Sequence, residues 1–302
     1  IRTSHHCYYG FYVGNIHTGC HLHESPLNLT EAIQNSCNTY FINVLKSILQ
    51  DVKYASTAEA YDNWRNHLLS MGFTSPLGIE LTNELNGNIP TSAYFDGIYG
   101  EDRWNYLTVR SLAIGQGELL ITPIQMANMT ATIANRGYYI TPHLVREIEG
   151  EEQIGEQYLQ RHYTSIDSSF YGPVVDGMDL VVNGGKGSTA RNARIEGITV
   201  CGKTGTAENP HGNDHSIFIA FAPKEDPEIA IAVYVENQGF GTTYAAPIAS
   251  LMIEKYLTGE VKRTWYENYV MQLVQPAAPA IGSDTVEGDT LRNNVVEDGT
   301  EE

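Results

Sequence analysis

The chain of 302 residues carries 18 Lys and Arg against 36 Asp and Glu, a formal net charge of −18 at pH 7. This acidic balance argues against a protein that binds nucleic acid, because contact with phosphate needs a basic face. Hydrophobic residues make up 42% of the chain, which is enough for a large core in one domain or two. The longest apolar runs, such as residues 229–235, are too short to cross a bilayer.

Helices dominate the predicted structure of the first two-thirds of the chain. Asn28 is placed to cap a helix, and Glu31, three residues later, can reach back to the cap N–H. The apolar spacing that follows predicts two helices with a break at Ser36-Cys37-Asn38. Further helices are predicted over residues 57–71, from a Thr122 cap to Gly137 with apolar residues nearly all round, and over residues 173–182.

The last third changes to a strand pattern. Strands are predicted over residues 197–206, 216–222 and 228–235, followed by a closing helix over residues 246–257. Helices followed by an antiparallel meander and a terminal helix indicate an α/β (α+β) fold. Residues 276–302 hold seven acidic residues and one Arg, which predicts a solvated acidic tail.

Two short motifs suggest chemistry. Lys203-Thr204-Gly205-Thr206 places a cation beside hydroxyl donors on a predicted strand, which suits a carboxylate bound along a strand edge; the alternative is a hairpin strand with an exposed Lys. Ser36 and Asn38 lie in the helix break, where both side chains can face one cleft; the alternative is a helix-capping Ser.

In this order, Ser-x-Asn and Lys-Thr-Gly are two of the three motifs that mark the penicillin-recognising acyl-serine enzymes, the third being Ser-x-x-Lys. The sequence around these motifs also matches one branch of these enzymes, over roughly residues 5–260. It resembles the transpeptidase domain of the class B penicillin-binding proteins, specifically the elongation-type penicillin-binding protein 2. The matching segments include Cys20-His21-Leu22-His23, Ala113-Ile114-Gly115-Gln116-Gly117, Thr122-Pro123-Ile124-Gln125 and His215-Ser216-Ile217-Phe218.

The resemblance implies a D,D-transpeptidase that cross-links peptidoglycan stem peptides and binds β-lactams, with no cofactor needed for catalysis. It implies that Lys203 holds the substrate carboxylate together with the hydroxyls of Thr204 and Thr206. The backbone N–H of Thr206 would be one oxyanion donor. Ser36 would relay a proton to the leaving amine, and Asn38 would fix the substrate amide.

The sequence departs from the family at the nucleophile, because no serine in the chain is followed three residues later by lysine. In the family that motif precedes Ser-x-Asn by several tens of residues. We therefore expect a domain truncated at its N-terminus, with about three strands of the sheet remaining and an open apolar edge on strand 228–235. The expected organisation is a partial transpeptidase domain over 1–260, an extension over 261–275 and the tail over 276–302.

A cluster of cysteines and histidines lies near the start of the chain. Cys7, Cys20, His23 and Cys37 could place three thiolates and an imidazole around a structural zinc. The alternatives are a disulfide between Cys7 and Cys20 or ordinary buried thiols. Cys201 is expected to be a small core residue.

Two other functions remain open on the sequence. One is a serine β-lactamase, which turnover of a chromogenic cephalosporin would reveal. The other is a non-catalytic protein that binds wall peptides or β-lactams, which an Ala-x-x-Lys in place of Ser-x-x-Lys upstream would favour. The resemblance also implies partners in the cell-elongation complex and a location at the periplasmic face of the inner membrane, through an anchor upstream of these residues.

The missing serine gives a direct test. Expressed alone, the 302-residue chain is expected neither to cross-link stem peptides nor to react with a fluorescent penicillin, because acyl transfer needs the nucleophile. The measurement is a denaturing gel after incubation with the labelled penicillin. A covalent, heat-stable label on the chain would contradict this expectation.

Overall fold

A computed structural model describes residues 3–150 and 154–273 of the chain, so the predicted acidic tail lies outside the described residues. The helices are α1 (Leu29–Gln34), α2 (Asn38–Leu49), α3 (Thr57–Leu69), α4 (Ser92–Tyr99), α5 (Pro123–Ala134), α6 (Tyr171–Asn183), α7 (Ala245–Thr258) and α8 (Thr264–Leu273). The strands are β1 (Gly10–Val13), β2 (Ile16–Gly19), β3 (Tyr138–Ile140), β4 (Arg161–Tyr163), β5 (Cys201–Ala207), β6 (His215–Ala222) and β7 (Ile229–Val235).

Side-chain caps fix the helix starts that the sequence predicts. The Asn28 side chain accepts the N–H of Glu31 at 3.0 Å, and the Glu31 carboxylate accepts the N–H of Asn28 at 2.9 Å, so the predicted capping box is present on α1. Thr122 and Gln125 form the same arrangement on α5, with Pro123 in the first turn. The break predicted between the first two helices lies between α1 and α2.

A three-stranded antiparallel sheet in the order β5-β6-β7 forms the centre of the fold. Helices α5, α6 and α7 pack against it, around fully buried side chains that include Phe218, Phe221, Val181 and Ile253. The α+β fold with helices flanking an antiparallel sheet is therefore confirmed. Within the described residues β7 pairs only with β6, so its outer edge has no strand neighbour there.

Helices α2, α3 and α4 contribute to a second core, which includes the aromatic side chains of Tyr61, Phe95 and Trp104. Tyr61 contacts both Phe95 and Trp104 edge-on, with ring centroids 5.5 Å apart in each pair. The buried Tyr61 hydroxyl donates to the carbonyl of Pro90 at 2.9 Å, so the loop before α4 is tied to α3. None of the helices in the two described ranges has both the length and the apolarity that a membrane crossing requires.

Two elements differ from the prediction. Helix α5, expected to be apolar nearly all round, buries its polar side chains most completely, among them Gln125 and Asn128. The reason is that the Gln125 amide donates to the carbonyl of Asn86 at 2.8 Å and the Asn128 amide to that of Met71 at 3.0 Å. Strand β5 begins at Cys201 rather than at residue 197, because a tight bridge between Ile195 and Ile198 turns the chain first.

The close approach of α1 to α6 gives a testable prediction. A Cβ on Gly177 of α6 would lie 2.8 Å from the Cβ of Ile33 on α1. We expect Gly177→Ala to lower the free energy of unfolding by about 1–2 kcal/mol, since overpacking outweighs the gain in helix propensity. Urea unfolding measures this change in the free energy of unfolding. Gly172→Ala on the same helix is the control, because its Cβ would meet no atom within 4 Å, and an equal loss in both variants would contradict the prediction.

Candidate active site

The end of α1 places Ser36 in an unusual backbone conformation. Its φ is +53°, in the left-handed region that is costly for a residue with a Cβ. The turn is held by hydrogen bonds from the N–H of Ser36 to the carbonyl of Ile33 at 3.2 Å and from the N–H of Cys37 to that of Ala32 at 3.0 Å. As a result the side chain of Ser36 points away from the helix axis and towards β5.

Lys203 on β5 contacts Ser36 across the cleft, although the two residues are 167 positions apart in the sequence. The Lys203 Nζ donates to the Ser36 Oγ at 2.8 Å and to the carbonyl of Thr204 at 2.8 Å. Loss of hydration on burial lowers the pKa of Lys203 to about 8. The ammonium is therefore pre-positioned, and no carboxylate pairs with it within the described residues.

All six residues predicted for catalysis and substrate binding line one cavity of about 410 Å³. They are Ser36, Asn38, Lys203, Thr204, Gly205 and Thr206. The Asn38 amide donates to the carbonyl of Gly19 at 2.8 Å, which fixes its orientation at the start of α2. The structure thus brings the helix break and the Lys-Thr-Gly strand to a single site.

The outer edge of β5 faces this cavity and pairs with no other strand of the described residues. The Gln116 amide donates to the carbonyl of Thr206 at 3.4 Å, and Lys203 bonds that of Thr204, so both carbonyls point into the cleft. In a strand the N–H and the C=O of one residue point to the same side, so the N–H of Thr206 faces the cleft as well. An extended ligand can pair with this edge.

Several lining residues were not predicted as site residues from the sequence. They are His21, Phe41, Ala113, Ile114, Gln116, Glu208, Asp214 and Phe240. His21, Gln116 and their neighbours belong to segments that carried the family resemblance, which was the only available signal. Glu208 directly follows β5, yet a glutamate after a strand is ordinary in any sequence.

The predicted metal ligands also lie together. One ligand atom from each of Cys7, Cys20, His23 and Cys37 falls within 4.8 Å of the others. All four cysteines of the chain are free thiols, so the alternative disulfide between Cys7 and Cys20 is not formed. Cys201 is fully buried on β5, as predicted, and burial raises the pKa of its thiol to about 12.

The orientation of the His23 side chain independently supports the fit of these four residues to a zinc ion. The Nε2 atom of His23 is buried and has no hydrogen-bond partner, whereas its Nδ1 lies 2.7 Å from the carbonyl of Glu24. An Nδ1–H that donates to this carbonyl leaves the lone pair of Nε2 free for a metal, the usual arrangement of a histidine ligand. A hydrogen bond from the Cys37 thiol also lowers the pKa of Cys20 below its usual value.

Comparison with known proteins assigns the family. Residues 8–254 match the family model of the penicillin binding protein transpeptidase domain. The chain belongs to this family. It is 30% identical over 278 residues to the peptidoglycan D,D-transpeptidase MrdA of Haemophilus influenzae, covering 86% of this chain and 41% of that protein. The chain therefore spans about two-fifths of the length of this relative.

Solved structures agree with this assignment. The fold matches penicillin-binding protein 2 (PBP2) of Pseudomonas aeruginosa with a TM-score of 0.70 and 28% identity, over 85% of this chain and 55% of that one. It also matches Helicobacter pylori PBP2, solved in complex with MreC, with a TM-score of 0.67 and 25% identity, over 85% and 46% of the two chains. The predicted resemblance to elongation-type PBP2 is confirmed, and the names of the relatives favour the transpeptidase interpretation over a β-lactamase.

The left-handed backbone conformation of Ser36 can be tested by substitution. Ser36→Gly and Ser36→Ala both lose the hydrogen bond from Lys203, but only glycine adopts a φ of +53° without steric cost. We expect Ser36→Gly to be more stable than Ser36→Ala by about 1 kcal/mol in urea unfolding. Equal stability of the two variants, or a more stable Ser36→Ala, would contradict the left-handed conformation.

Proposed function

We propose that this chain forms the substrate-binding part of a peptidoglycan D,D-transpeptidase, which cross-links stem peptides through a serine acyl-enzyme during cell-wall elongation. The observation that carries the proposal is the contact of 2.8 Å between the Lys203 Nζ and the Ser36 Oγ at the open edge of β5. It puts a cation, hydroxyl groups and an unpaired strand edge in one cleft, which is what recognition of a peptide carboxylate requires.

In this proposal the substrate lies along the edge of β5. Its terminal carboxylate binds the Lys203 ammonium and the hydroxyls of Thr204 and Thr206. The carbonyl of the penultimate D-Ala then lies at the N–H of Thr206, which stabilises the oxyanion. One such donor typically contributes about 3 kcal/mol to lowering the barrier.

Ser36 is placed to move a proton. Because its Oγ accepts a hydrogen bond from Lys203, its own proton is free to be donated towards the amine that leaves as the bond to the terminal D-Ala breaks. The attacking serine of the family belongs to Ser-x-x-Lys, which these 302 residues do not contain. The part we propose for this chain is to bind the substrate, stabilise the oxyanion and relay the proton.

Binding of a peptide carboxylate tests the function. We expect an acetylated peptide ending in D-Ala-D-Ala to bind, and its affinity to fall as the pH rises through about 8, because Lys203 loses its charge there. Nuclear magnetic resonance titrations between pH 6 and 10 measure this dependence.

Two variants control the pH titration. Lys203→Ala should lose about tenfold in affinity at pH 7. Lys203→Arg, which keeps its charge to higher pH, should bind with little dependence on pH. A wild-type affinity that neither changes with pH nor depends on Lys203 would refute the proposed function.

We further propose that Cys7, Cys20, His23 and Cys37 hold a structural zinc ion. Tetrahedral zinc with thiolate bonds of about 2.3 Å holds its ligands roughly 3.8 Å apart, a spacing that the cluster can reach with small movements. The ion would cross-link the segment before α1 to the start of α2. Because Cys37 lies between Ser36 and Asn38, this cross-link would also support the catalytic motif.

Metal analysis tests the zinc site. Protein purified without a His-tag is expected to contain about one zinc per chain, and Cys37→Ser to contain much less, since a three-ligand site binds zinc more weakly. Cys201→Ser is the matched control, because Cys201 is also a buried thiol but lies outside the cluster. Absence of zinc from the wild-type protein, or equal contents in both variants, would refute the site.

We also propose that the protein acts at the periplasmic face of the inner membrane together with proteins of the elongation complex. Two arguments support this: peptidoglycan lies on that side, and the similar Helicobacter pylori PBP2 was solved in complex with MreC. Recovery of the full-length protein in the cytoplasmic fraction of lysed spheroplasts would refute the location. Failure of the full-length protein to bind an MreC homologue in a pull-down would refute the partner.

A further inference from the structure

A second cavity of about 1010 Å³ continues the cleft beyond the end of β5. Gln116 and Glu208 line both cavities, so they form the neck between them. The lining of the second cavity is mainly apolar and includes Leu85, Leu120, Ile217 and Tyr234. We call this second cavity the distal groove.

The charge of the distal groove is negative. Its only charged lining residues, within the part of the chain that the structure describes, are Glu84 and Glu208. The Glu84 carboxylate is engaged structurally, since it accepts the N–H groups of Leu77, Gly78 and Ile79 at 2.6, 3.0 and 3.2 Å. Glu208 is exposed and forms no ion pair with any described residue. The neck thus presents a free carboxylate.

The direction of the substrate follows from the proposed function, on which this inference rests. The terminal carboxylate lies at Lys203 and the carbonyl of the penultimate residue at Thr206, so the peptide runs antiparallel to β5. The residue that precedes the D-Ala pair must then lie beside Ala207 and Glu208. Glu208 is two positions from Thr206, or about 7 Å along a strand, which a glutamate side chain and a long substrate side chain easily bridge.

We propose that Glu208 is a specificity residue whose carboxylate binds the side-chain ammonium of the stem-peptide residue before the D-Ala pair. The distal groove then takes the rest of the stem. Glu208 therefore favours a stem in which this side chain is cationic over one in which it is neutral. An uncharged side chain there would leave the carboxylate without a partner, and an acidic one would be repelled by both Glu84 and Glu208.

The test compares two peptides that differ by one acetyl group. The first is acetyl-L-Ala-γ-D-Glu-L-Lys-D-Ala-D-Ala, and the second carries an acetyl group on the lysine side chain. Titrations at low salt should show that the wild-type chain binds the first about tenfold more tightly. In Glu208→Gln the two affinities should agree within about twofold, because the partner of the ammonium has been neutralised.

Glu225→Gln is the matched control. Glu225 is an exposed glutamate in the turn between β6 and β7, at the opposite end of the sheet from Glu208. This variant should keep the tenfold preference of the wild-type chain. Full preference in Glu208→Gln, or its loss in Glu225→Gln, would overturn the assignment.

Lys203→Ala separates this inference from the proposed function. This variant should lower the affinity for both peptides by the same factor, since both end in the same carboxylate. If the acetylated peptide binds independently of Lys203, the proposed function itself fails. If binding depends on Lys203 but the lysine ammonium adds nothing in the wild-type chain, only the role of Glu208 is refuted.

Discussion

The hydrogen bond from Lys203 to Ser36 joins the break between α1 and α2 to the central sheet, and the other predicted site residues lie around this contact. The bond depends on a chain of packed elements: α1 lies on α6, and α6 lies on β5. The close approach at Gly177 sets the first of these contacts. The left-handed backbone conformation of Ser36 then directs its hydroxyl towards Lys203 on β5. The geometry of the cleft thus depends on helix packing as well as on the local conformation of Ser36.

The tripeptide at the start of α2 serves two sites at once. Ser36 and Asn38 line the cleft, whereas Cys37 is 1% exposed and belongs to the cysteine–histidine cluster. The Asn38 amide also bonds the carbonyl of Gly19, the residue before Cys20. The cleft and the candidate zinc centre therefore share one stretch of backbone.

The sequence was most informative where local chemistry decides the structure. Caps such as Asn28 and Thr122, and the strand-like segments in the last third of the chain, predicted elements that the structure contains. Helix α4 was missed because its aromatic sequence has weak helical propensity and is held by burial of Phe95, which is a tertiary effect. The burial of Gln125 was missed for the same reason, since its partners lie in a loop some 40 residues away. Glu208 ends a segment that carried the family resemblance, but only the fold places it at the neck of two cavities.

The Gln125 side chain of α5 has a consequence for how this cleft can vary between proteins. Its amide donates to the main-chain carbonyl of Asn86 and so holds the loop that forms one wall of the distal groove. Side chains on the loop, such as Leu85, contribute little to that anchorage. Substitutions of such side chains can change the groups that contact a ligand while the path of the loop backbone stays the same. Substrate preference in this fold can thus evolve at positions that folding leaves free.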